Sequence, residues 1–208
     1  RRSNVTGTWL VVIIGVLALQ GNFAMHQNML SKLDVPSILV KYPHEIEKCD
    51  GLIIPGGEST TISKLIDSHG FRSPLIEYAK NNSIFGTCAG MILLSSTEAN
   101  DNLCPLNIMD FSVIRNGWGR QIFSFTKEVT IYFSEEVKYL ATFIRAPKVT
   151  TISSSIKVLS KLNNEVILLS DGMHLASSFH PEFGADTQIH NYFINLVKVN
   201  EKINSLRN

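Results

Sequence analysis

The chain has 208 residues, of which 44% are hydrophobic and 18% are charged, and its formal net charge is +1. Such a composition is typical of one globular domain with a substantial core. Because the charge is near zero and no long Lys/Arg run occurs, we expect no nucleic-acid partner. The three cysteines are odd in number and lack CxxC spacing, so we expect neither a disulfide framework nor a zinc site. This cysteine usage favours a reducing, cytoplasmic setting.

The N-terminal region carries an apolar run, Trp9–Leu19, that follows Arg1 and Arg2. A basic start and an apolar middle are also features of a signal peptide, and Ala18 and Ala24 keep that alternative open. The run is too short to span a bilayer. A polar residue and a glycine follow it directly, which suits the end of a buried strand. We therefore interpret it as the first strand and expect no membrane association.

The first half of the chain alternates short apolar runs with helical stretches. The predicted strands are Trp9–Leu19, Ser37–Lys41, Gly51–Ile54 and Ser83–Phe85. The predicted helices are Asn22–Leu33, Ser59–Asp67, Pro74–Lys80 and Ala89–Ser96. Since the strands are nearly continuous Ile, Leu and Val runs, we expect them to be buried on both faces. This alternation predicts βαβ units and a parallel sheet.

After about residue 106 the pattern changes to short, β-rich segments separated by turn residues. They are Phe111–Ile114, Gln121–Phe125, Val129–Phe133, Tyr139–Arg145, Ile156–Leu159, Val166–Ser170 and Leu175–Phe179. Asp171-Gly172 predicts a hairpin turn, and apolar spacing predicts a final helix over Asp186–Val199. The predicted fold is therefore α/β, with three layers: an open, mostly parallel sheet flanked by helices, and an additional antiparallel β portion.

The domain organisation follows from the lack of internal repeats and low-complexity linkers in the sequence. We interpret residues 14–201 as a single domain. Residues 1–13 are a leader with the start of the first strand, and residues 202–208 are a C-terminal tail.

Ligands of open α/β sheets gather at the carboxyl ends of the strands, and PGGESTT, Pro55 to Thr61, follows one of these ends. Its glycines can expose backbone N–H groups, and its Ser/Thr cluster can cap the next helix. Neither a phosphate loop nor a dinucleotide loop motif is present. The segment is either a capped strand-to-helix turn or a cradle of backbone amides for an anion or oxyanion.

The segment GTCAG, Gly86 to Gly90, has the form of a nucleophile elbow with cysteine in place of serine. Its glycines leave room for a sharp strand–turn–helix bend, and a thiol beside a helix N-terminus is favoured as thiolate. Cys88 is thus either a small buried cysteine at a tight turn or a nucleophile, and a nucleophile needs a base. Cys49 and Cys104 lack glycine framing, and we interpret them as structural or surface thiols.

The histidines differ in their surroundings, and His180 alone follows an apolar strand end with an acid nearby, in the run SFHPE. Glu182 can turn back to orient the imidazole, which gives thiol, base and carboxylate in the logic of a catalytic triad. His26, in a predicted helix, is expected at the surface or half-buried. His174, beside the predicted hairpin turn, is expected to be solvated.

Six segments occur in an order that resembles one family: LALQG (17–21), PGGESTT (55–61), GTCAG (86–90), RNGWGRQ (115–121), FIRAP (143–147) and SFHPE (178–182). Together they closely resemble the glutaminase subunits of pyridoxal 5′-phosphate synthase, which are class I (triad-type) glutamine amidotransferases. GTCAG and HPE alone would indicate only the broader class, whereas PGGESTT, GRQ and FIRAP narrow it to this branch. The resemblance covers about Ile14 to Val199.

The resemblance implies a flavodoxin-like fold and the hydrolysis of L-glutamine to L-glutamate and ammonia. The ammonia would pass to a synthase (lyase) subunit within a large hetero-oligomer that makes pyridoxal 5′-phosphate. It also implies that the chain needs no metal and no organic cofactor, and that the glutaminase is weak or silent until it docks.

The resemblance further implies residue roles. Cys88 would be the nucleophile, with His180 and Glu182 as its relay partners. The residues that would bind L-glutamine are Gly57, Glu58, Ser59, Arg115, Ile144 and Arg145. The backbone N–H groups of Gly57 and Ala89 would form the oxyanion hole. An arginine can bind the α-carboxylate of glutamine through two hydrogen bonds, although without the resemblance both arginines would be read as surface ion-pair residues.

Two features depart from the family pattern. Gly117-Trp118 stands where relatives often carry Ser-Phe, and the leader before Ile14 is longer than the family's short start. Two alternatives stay open: a glutaminase that serves another ammonia-using synthase, and a non-catalytic regulatory subunit. A peptidase or chaperone of the thiol-containing α/β class would not explain PGGESTT or FIRAP.

Overall fold

The computed structural model describes residues 11–98, 103–115, 117 and 124–207. Its first half comprises β1 (Ile14–Leu17), α1 (Phe23–Lys32), β2 (Ser37–Val40), β3 (Gly51–Ile54), α2 (Ser59–Ser68), α3 (Arg72–Ala79), β4 (Ser83–Thr87) and α4 (Ala89–Leu94). Its second half comprises β5 (Phe111–Ile114), β6 (Ser124–Tyr132), β7 (Glu136–Ile144), β8 (Lys148–Ile152), β9 (Lys157–Leu162), β10 (Glu165–Ser170), β11 (Leu175–Ser177) and α5 (Gln188–Arg207). Short 3₁₀ turns cover Pro43–Lys48 and Pro181–Phe183.

The main sheet has nine strands in the order β2-β1-β3-β4-β11-β10-β9-β6-β7, and β5 pairs with β8 separately. The first five of these strands run parallel to one another. The strands β10, β9, β6 and β7 extend the sheet in antiparallel fashion. The order of the parallel strands is that of flavodoxin-like doubly wound folds. The predicted mostly parallel sheet with an antiparallel portion is confirmed.

Two hydrophobic cores lie on opposite faces of this sheet. One includes Ile62 of α2 and Met91 of α4, and the other includes Phe193 of α5. Neighbouring residues of β1 alternate between the two cores, with Val16 in one and Leu17 in the other, because successive side chains of a strand point to opposite faces. The predicted three-layer arrangement is therefore confirmed.

Burial differs between the two portions of the sheet. The strands β1, β3 and β4 are buried at every position, which explains their continuous apolar runs. In contrast, β7 alternates between buried and exposed side chains over its second half. One face of the antiparallel portion is therefore open to solvent.

Some strand boundaries differ from the predictions. The strand β1 covers Ile14–Leu17 instead of the predicted Trp9–Leu19. Residues 11–13 are not in a strand, and residues 9 and 10 lie outside the described part of the chain. Where the sequence predicted two strands, Gln121–Phe125 and Val129–Phe133, the structure has one, β6 (Ser124–Tyr132). Its pairing with β7 continues through the polar residues between the two predicted runs. Residues 121–123 lie outside the described part of the chain. The strand β8 was not predicted, although four of its five residues are β-branched.

The last helix is longer than predicted. α5 continues to Arg207, beyond the predicted end at Val199 and through most of the segment read as a tail. Asn200 and Asn204 both donate side-chain hydrogen bonds to the Asn81 carbonyl, at 2.6 and 2.8 Å, and so attach the extension to the body of the protein. Within the ranges that the structure describes, no helix is long and apolar enough to cross a membrane.

Candidate active site

Cys88 lies on the sharp turn between β4 and α4. Its backbone angles, φ 51° and ψ −102°, are unusual for a residue with a side chain. The Cys88 N–H donates to the Ser177 carbonyl at 2.8 Å, and the thiol faces the Ile144 carbonyl with a sulfur–oxygen distance of 3.7 Å. The thiol is thus held on a strained bend at the carboxyl end of a parallel strand.

Glycines around Cys88 make room for this bend. A Cβ at Gly90 would overlap the Ile54 carbonyl oxygen, and a Cβ at Gly86 would lie 2.5 Å from the Gly90 carbonyl. α4 therefore packs directly on the backbone of β3 and β4. A Cβ at Gly56 would lie 2.5 Å from Cε1 of His180. The glycine framing of the motif is a packing requirement.

His180 follows β11, the strand next to β4, and so reaches the elbow. Its Nδ1 lies 2.7 Å from Oε1 of Glu182, and a hydrogen bond joins the imidazole to the Cys88 thiol. The 3₁₀ turn that begins at Pro181 brings the carboxylate back to the ring. The side chains of His180 and Glu182 are only 5% and 0% exposed, so their interaction is shielded from water.

The electrostatics of this group favour an imidazolium beside an ionised carboxylate. Burial lowers the pKa of His180, but hydrogen bonds with Cys88 and Glu182 outweigh burial and raise the pKa to about 10. Burial raises the pKa of Glu182, yet the neighbouring His26 and His180 hold it below the ordinary value. The carboxylate is therefore ionised and the imidazole protonated near neutral pH, an arrangement that supports a reactive sulfur.

A cavity of about 420 Å³ opens in front of the thiol, within the size range of small-molecule sites. It is lined by every residue predicted for the site except Glu182: Gly57, Glu58, Ser59, Cys88, Ala89, Arg115, Ile144, Arg145 and His180. Glu182 lies behind His180 and contacts it instead. Residues from distant parts of the sequence thus meet at one place.

The cavity rim carries a fixed pair of opposite charges. Glu58 caps α2 and accepts hydrogen bonds from the N–H groups of Thr60 (3.1 Å) and Thr61 (2.6 Å). Arg115 donates to Oε1 of Glu58 at 3.3 Å and to Oγ1 of Thr60 at 3.0 Å. Burial raises the pKa of Glu58, but the hydrogen bonds from Thr61 and Thr60 outweigh it and lower the pKa to about 2. Such a pair suits the ammonium and carboxylate of an amino acid.

The end of β7 and the start of α4 supply further walls. Arg145, directly after β7, has a φ of 43°, in the left-handed region that residues with a Cβ rarely adopt. Ala89 is the first residue of α4, where backbone N–H groups have no partner within the helix. Gly57 follows β3 and also faces the cavity. The positions of Gly57 and Ala89 suit the predicted oxyanion hole.

Some lining residues were missed from the sequence: Gln20, Gly21, Asn22, Ile92 and Phe183. Oε1 of Gln20 accepts a hydrogen bond from the Glu58 N–H at 3.0 Å, and this bond ties the loop after β1 to the loop after β3. The rule that pointed to Glu58, a polar residue after a buried parallel strand, could also have found Gln20. The pair Gly117-Trp118 differs from the residues that are common in the family. Gly117 packs on the side chain of Lys148, and Trp118 lies outside the described residues.

Two predictions about histidines are wrong. His26 is completely buried rather than at the surface, because its face of α1 packs on Thr87 and on His190 of α5. His174 is also buried and not solvated, because its Nδ1 accepts a hydrogen bond from the Ile84 N–H at 3.1 Å. Both contacts join residues far apart in the chain, and no local pattern indicates them.

The other two cysteines lie away from the cavity lining. Cys49 is buried, and burial raises the pKa of its thiol to about 12. Cys104 is half-buried, and neither thiol is in a disulfide. Within the described ranges, no group of three or more histidine, cysteine or carboxylate side chains is placed to hold a metal ion.

Comparisons with known proteins agree with these motifs. The profile of the SNO glutamine amidotransferase family matches residues 16–199. The pyridoxal 5′-phosphate synthase subunit PdxT of Desulforamulus reducens is 44% identical over 188 residues, which are 90% of this chain and 100% of that protein. The subunit PdxT of Brevibacillus brevis is 44% identical over 187 residues, 89% of this chain and 97% of that protein.

A solved structure points the same way. A crystal structure of a glutamine amidotransferase superposes with a TM-score of 0.83 at 35% sequence identity, and the match covers 88% of this chain and 98% of that one. The resemblance indicated by the six motifs is thereby confirmed, and the chain belongs to the SNO glutamine amidotransferase family.

Proposed function

We propose that the chain hydrolyses L-glutamine to L-glutamate and ammonia and supplies the ammonia to a synthase subunit that makes pyridoxal 5′-phosphate. The observation that carries this proposal is that Cys88, on a strained elbow, and His180 face one cavity, with Glu182 bonded to the imidazole from behind. The partner is supported by the relatives, which are named as the subunit PdxT of pyridoxal 5′-phosphate synthase.

The first half of the reaction begins with the Cys88 thiolate. It attacks the side-chain amide carbon of glutamine, and the carbonyl electrons move onto oxygen, where the N–H groups of Gly57 and Ala89 stabilise the charge. The His180 imidazolium then gives its proton to the amide nitrogen as the C–N bond breaks. Ammonia leaves, and a γ-glutamyl thioester remains on the sulfur.

The second half reverses the role of the imidazole. The thioester sulfur carries no charge, so it no longer raises the pKa of His180, and the ring stays neutral after its proton is lost. Neutral His180 takes a proton from water, and the resulting hydroxide attacks the thioester carbon. Collapse of the tetrahedral intermediate releases glutamate and restores the Cys88 thiolate. Glu182 keeps the imidazole oriented throughout.

Recognition of glutamine relies on groups that are held in place before it arrives. Glu58 is fixed by the first turn of α2 and by Arg115, so little ordering is needed when it receives the substrate ammonium. Arg115 and Arg145 are suited to bind the α-carboxylate. Ser59 and the Ile144 backbone complete the set that we assign to substrate binding.

Ammonia has to reach its acceptor before it diffuses away, so we include a large hetero-oligomer with the synthase (lyase) subunit in the proposal. We place this assembly in the cytoplasm, where the three free cysteines would stay reduced. A glutaminase for a different synthase and a non-catalytic regulatory subunit are the alternatives that the following experiment separates.

The test measures ammonia and glutamate released from L-glutamine, with and without an added pyridoxal phosphate synthase subunit. Wild type, Cys88→Ala and the control Cys104→Ala are compared. We expect turnover that appears or rises with the partner, is kept in the control and falls by about 10³-fold or more in Cys88→Ala. Absence of turnover under every condition would contradict the proposed glutaminase activity. Stimulation only by a different ammonia-using synthase would contradict the proposed partner.

A further inference from the structure

The carboxylate of Glu182 lies between two imidazoles rather than beside one. Oε1 is 2.7 Å from Nδ1 of His180, and Oε2 is 3.5 Å from Nε2 of His26. The side chains of Glu182 and His26 are both 0% exposed. Among the described residues Oε2 is buried without a conventional hydrogen bond, so the facing nitrogen of His26 occupies the place of the donor that it lacks.

The contact continues from His26 to α5. Nδ1 of His26 lies 2.9 Å from Nε2 of His190, which is also completely buried. The two rings have centroids 5.2 Å apart. A line of side chains therefore runs from His190 through His26 to Glu182, and then to His180 at the cavity.

One proton lies between Nδ1 of His26 and Nε2 of His190, and the nitrogen that carries this proton sets the direction of the hydrogen bonds along the line. If Nδ1 of His26 carried it, a neutral His26 would turn the lone pair of its Nε2 towards Oε2 of Glu182, and the two would repel. If Nε2 of His190 carries it, Nε2 of His26 holds its own proton and donates to Glu182, with Thr87 Oγ1 at 3.3 Å able to share it. Burial lowers the pKa of His26 and lowers that of His190 to about 3, so both rings are neutral at pH 7.

The first turn of α1 reaches the same carboxylate through a second residue. Asn22 is the N-cap of α1, but its side chain forms no capping hydrogen bond. Its Nδ2 instead lies 3.5 Å from Oε1 of Glu182. Asn22 and His26 are four residues apart and therefore share one face of the helix. That face is directed at the carboxylate. An asparagine at an N-cap usually accepts a hydrogen bond from the backbone of its own helix, whereas Asn22 donates to Glu182 instead.

We propose that His26 is a positioning residue that donates its Nε2 proton to Glu182, with His190 behind it fixing the tautomer. This inference rests on the proposed function, because it assigns His26 a place behind the proposed triad. The extra donor holds the carboxylate in the plane that Nδ1 of His180 requires. His26 is not part of the cavity lining, so its loss lowers turnover without weakening glutamine binding.

The kinetic test uses two substitutions at one position. His26→Leu removes the donor, whereas His26→Gln keeps an N–H group near the original Nε2, and the exposed His44→Gln is the control. With the synthase subunit present, we expect kcat to fall by about 10- to 100-fold in His26→Leu, by analogy with the loss of outer-shell partners that orient metal-binding histidines. We expect partial recovery in His26→Gln and KM for glutamine within about twofold of wild type throughout. Equal losses in both variants, a loss expressed in KM, or full activity in His26→Leu would overturn the assignment.

A second measurement needs no turnover and no substitution. Nitrogen-15 NMR of the histidine-labelled chain reports which ring nitrogen carries the proton. We expect His26 and His190 to be neutral at pH 7, each protonated at Nε2, whereas protonation of His26 at Nδ1 would overturn the proposal even in a fully active enzyme. Expected tautomers in a chain that never releases ammonia would instead count against the proposed function. The NMR result also decides the matter if His26→Leu does not fold.

Discussion

The two ends of the parallel strands carry the same residue types and use them differently. At the carboxyl ends, Cys88 and His180 contact each other and face a cavity. At the amino ends, Cys49 precedes β3 and His174 precedes β11. Nδ1 of His174 accepts from a backbone N–H of β4, and the Cys49 carbonyl accepts from the Tyr78 hydroxyl at 3.1 Å. One end carries the proposed active site, and the other end belongs to the scaffold.

The difference indicates that surroundings, and not residue type, separate the scaffold residues from the residues that we propose to be catalytic. Burial, reinforced by the acidic neighbours Asp50 and Glu45, raises the pKa of Cys49 to about 12, and burial lowers the pKa of His174. At the carboxyl ends, by contrast, hydrogen bonds with Cys88 and Glu182 outweigh burial at His180. Groups whose hydrogen bonds go to the backbone become part of the scaffold, whereas groups that pair with each other at a cavity can react.

The largest expected contrast is between the two buried thiols. Burial holds the pKa of Cys49 at about 12, so its thiol stays protonated at pH 7, whereas Cys88 lies at the cavity together with the His180 imidazole. We expect iodoacetamide to modify Cys88 about 10³-fold faster than Cys49, as measured by mass spectrometry of digested samples over time. The control is His180→Asn, in which the rate at Cys88 should drop. Labelling of Cys49 first would contradict the comparison.

A second contrast concerns close packing at the two ends. A Cβ at Gly90, beside the elbow, would meet the Ile54 carbonyl, a backbone group that cannot move aside. A Cβ at Gly51, at the start of β3, would meet the side-chain methyl of Val197. We therefore expect Gly90→Ala to lower the free energy of unfolding by about 3 kcal/mol and Gly51→Ala by about 1 kcal/mol. Urea unfolding measures the free energy of unfolding of both variants. Equal losses would contradict the expected difference in packing between the two ends of the strands.

The smallest contrast is the structural role of His174. In His174→Leu the Ile84 N–H loses its acceptor, which we expect to lower the free energy of unfolding by about 1–3 kcal/mol at pH 7.5 without changing activity per folded molecule. Burial lowers the pKa of His174, so the unfolded chain binds more protons than the folded chain below about pH 6.5. This part of the stability is present above pH 6.5 and is lost on acidification.

The measurement for this prediction is urea unfolding between pH 7.5 and 5. The deficit of His174→Leu relative to wild type should shrink as the pH falls, because only the wild type loses the contribution of His174. His44→Gln, at an exposed histidine, is the control and should follow the wild type. A deficit that stays constant over the range would show that His174 does not act through its neutral form.

Sequence patterns predicted most of the fold and of the site for one physical reason. The parallel strands are buried on both faces, so their apolar runs are visible without knowledge of the partners. The carboxyl ends of these strands lie along one edge of the sheet. Residues that directly follow strands, such as Glu58, Cys88 and His180, could therefore be predicted to lie close together. The glycines of the elbow motif added the local geometry.

What could not be predicted depends on contacts between distant segments. His26 looks like a surface residue of a helix until α5 covers it with His190. The strand β8 was not predicted although Val149 to Ile152 are all β-branched, because Val149 is its one buried residue and no apolar run or alternation marks it. The extension of α5 is supported by bonds to Asn81, which nothing in the helix sequence indicates.

The space beside Gly56 is needed by the proposed catalytic group, because the His180 ring lies in it. The His180 ring fills the volume that a side chain at position 56 would occupy, with Cε1 2.5 Å from the place of a Cβ. The ring belongs to the segment after β11, two strands away from β3 in the sheet. Its position therefore depends on the absence of a side chain at Gly56, in the loop after β3. A methyl group at position 56 would displace the imidazole and so abolish turnover, although the sulfur, the imidazole and the carboxylate would stay chemically intact.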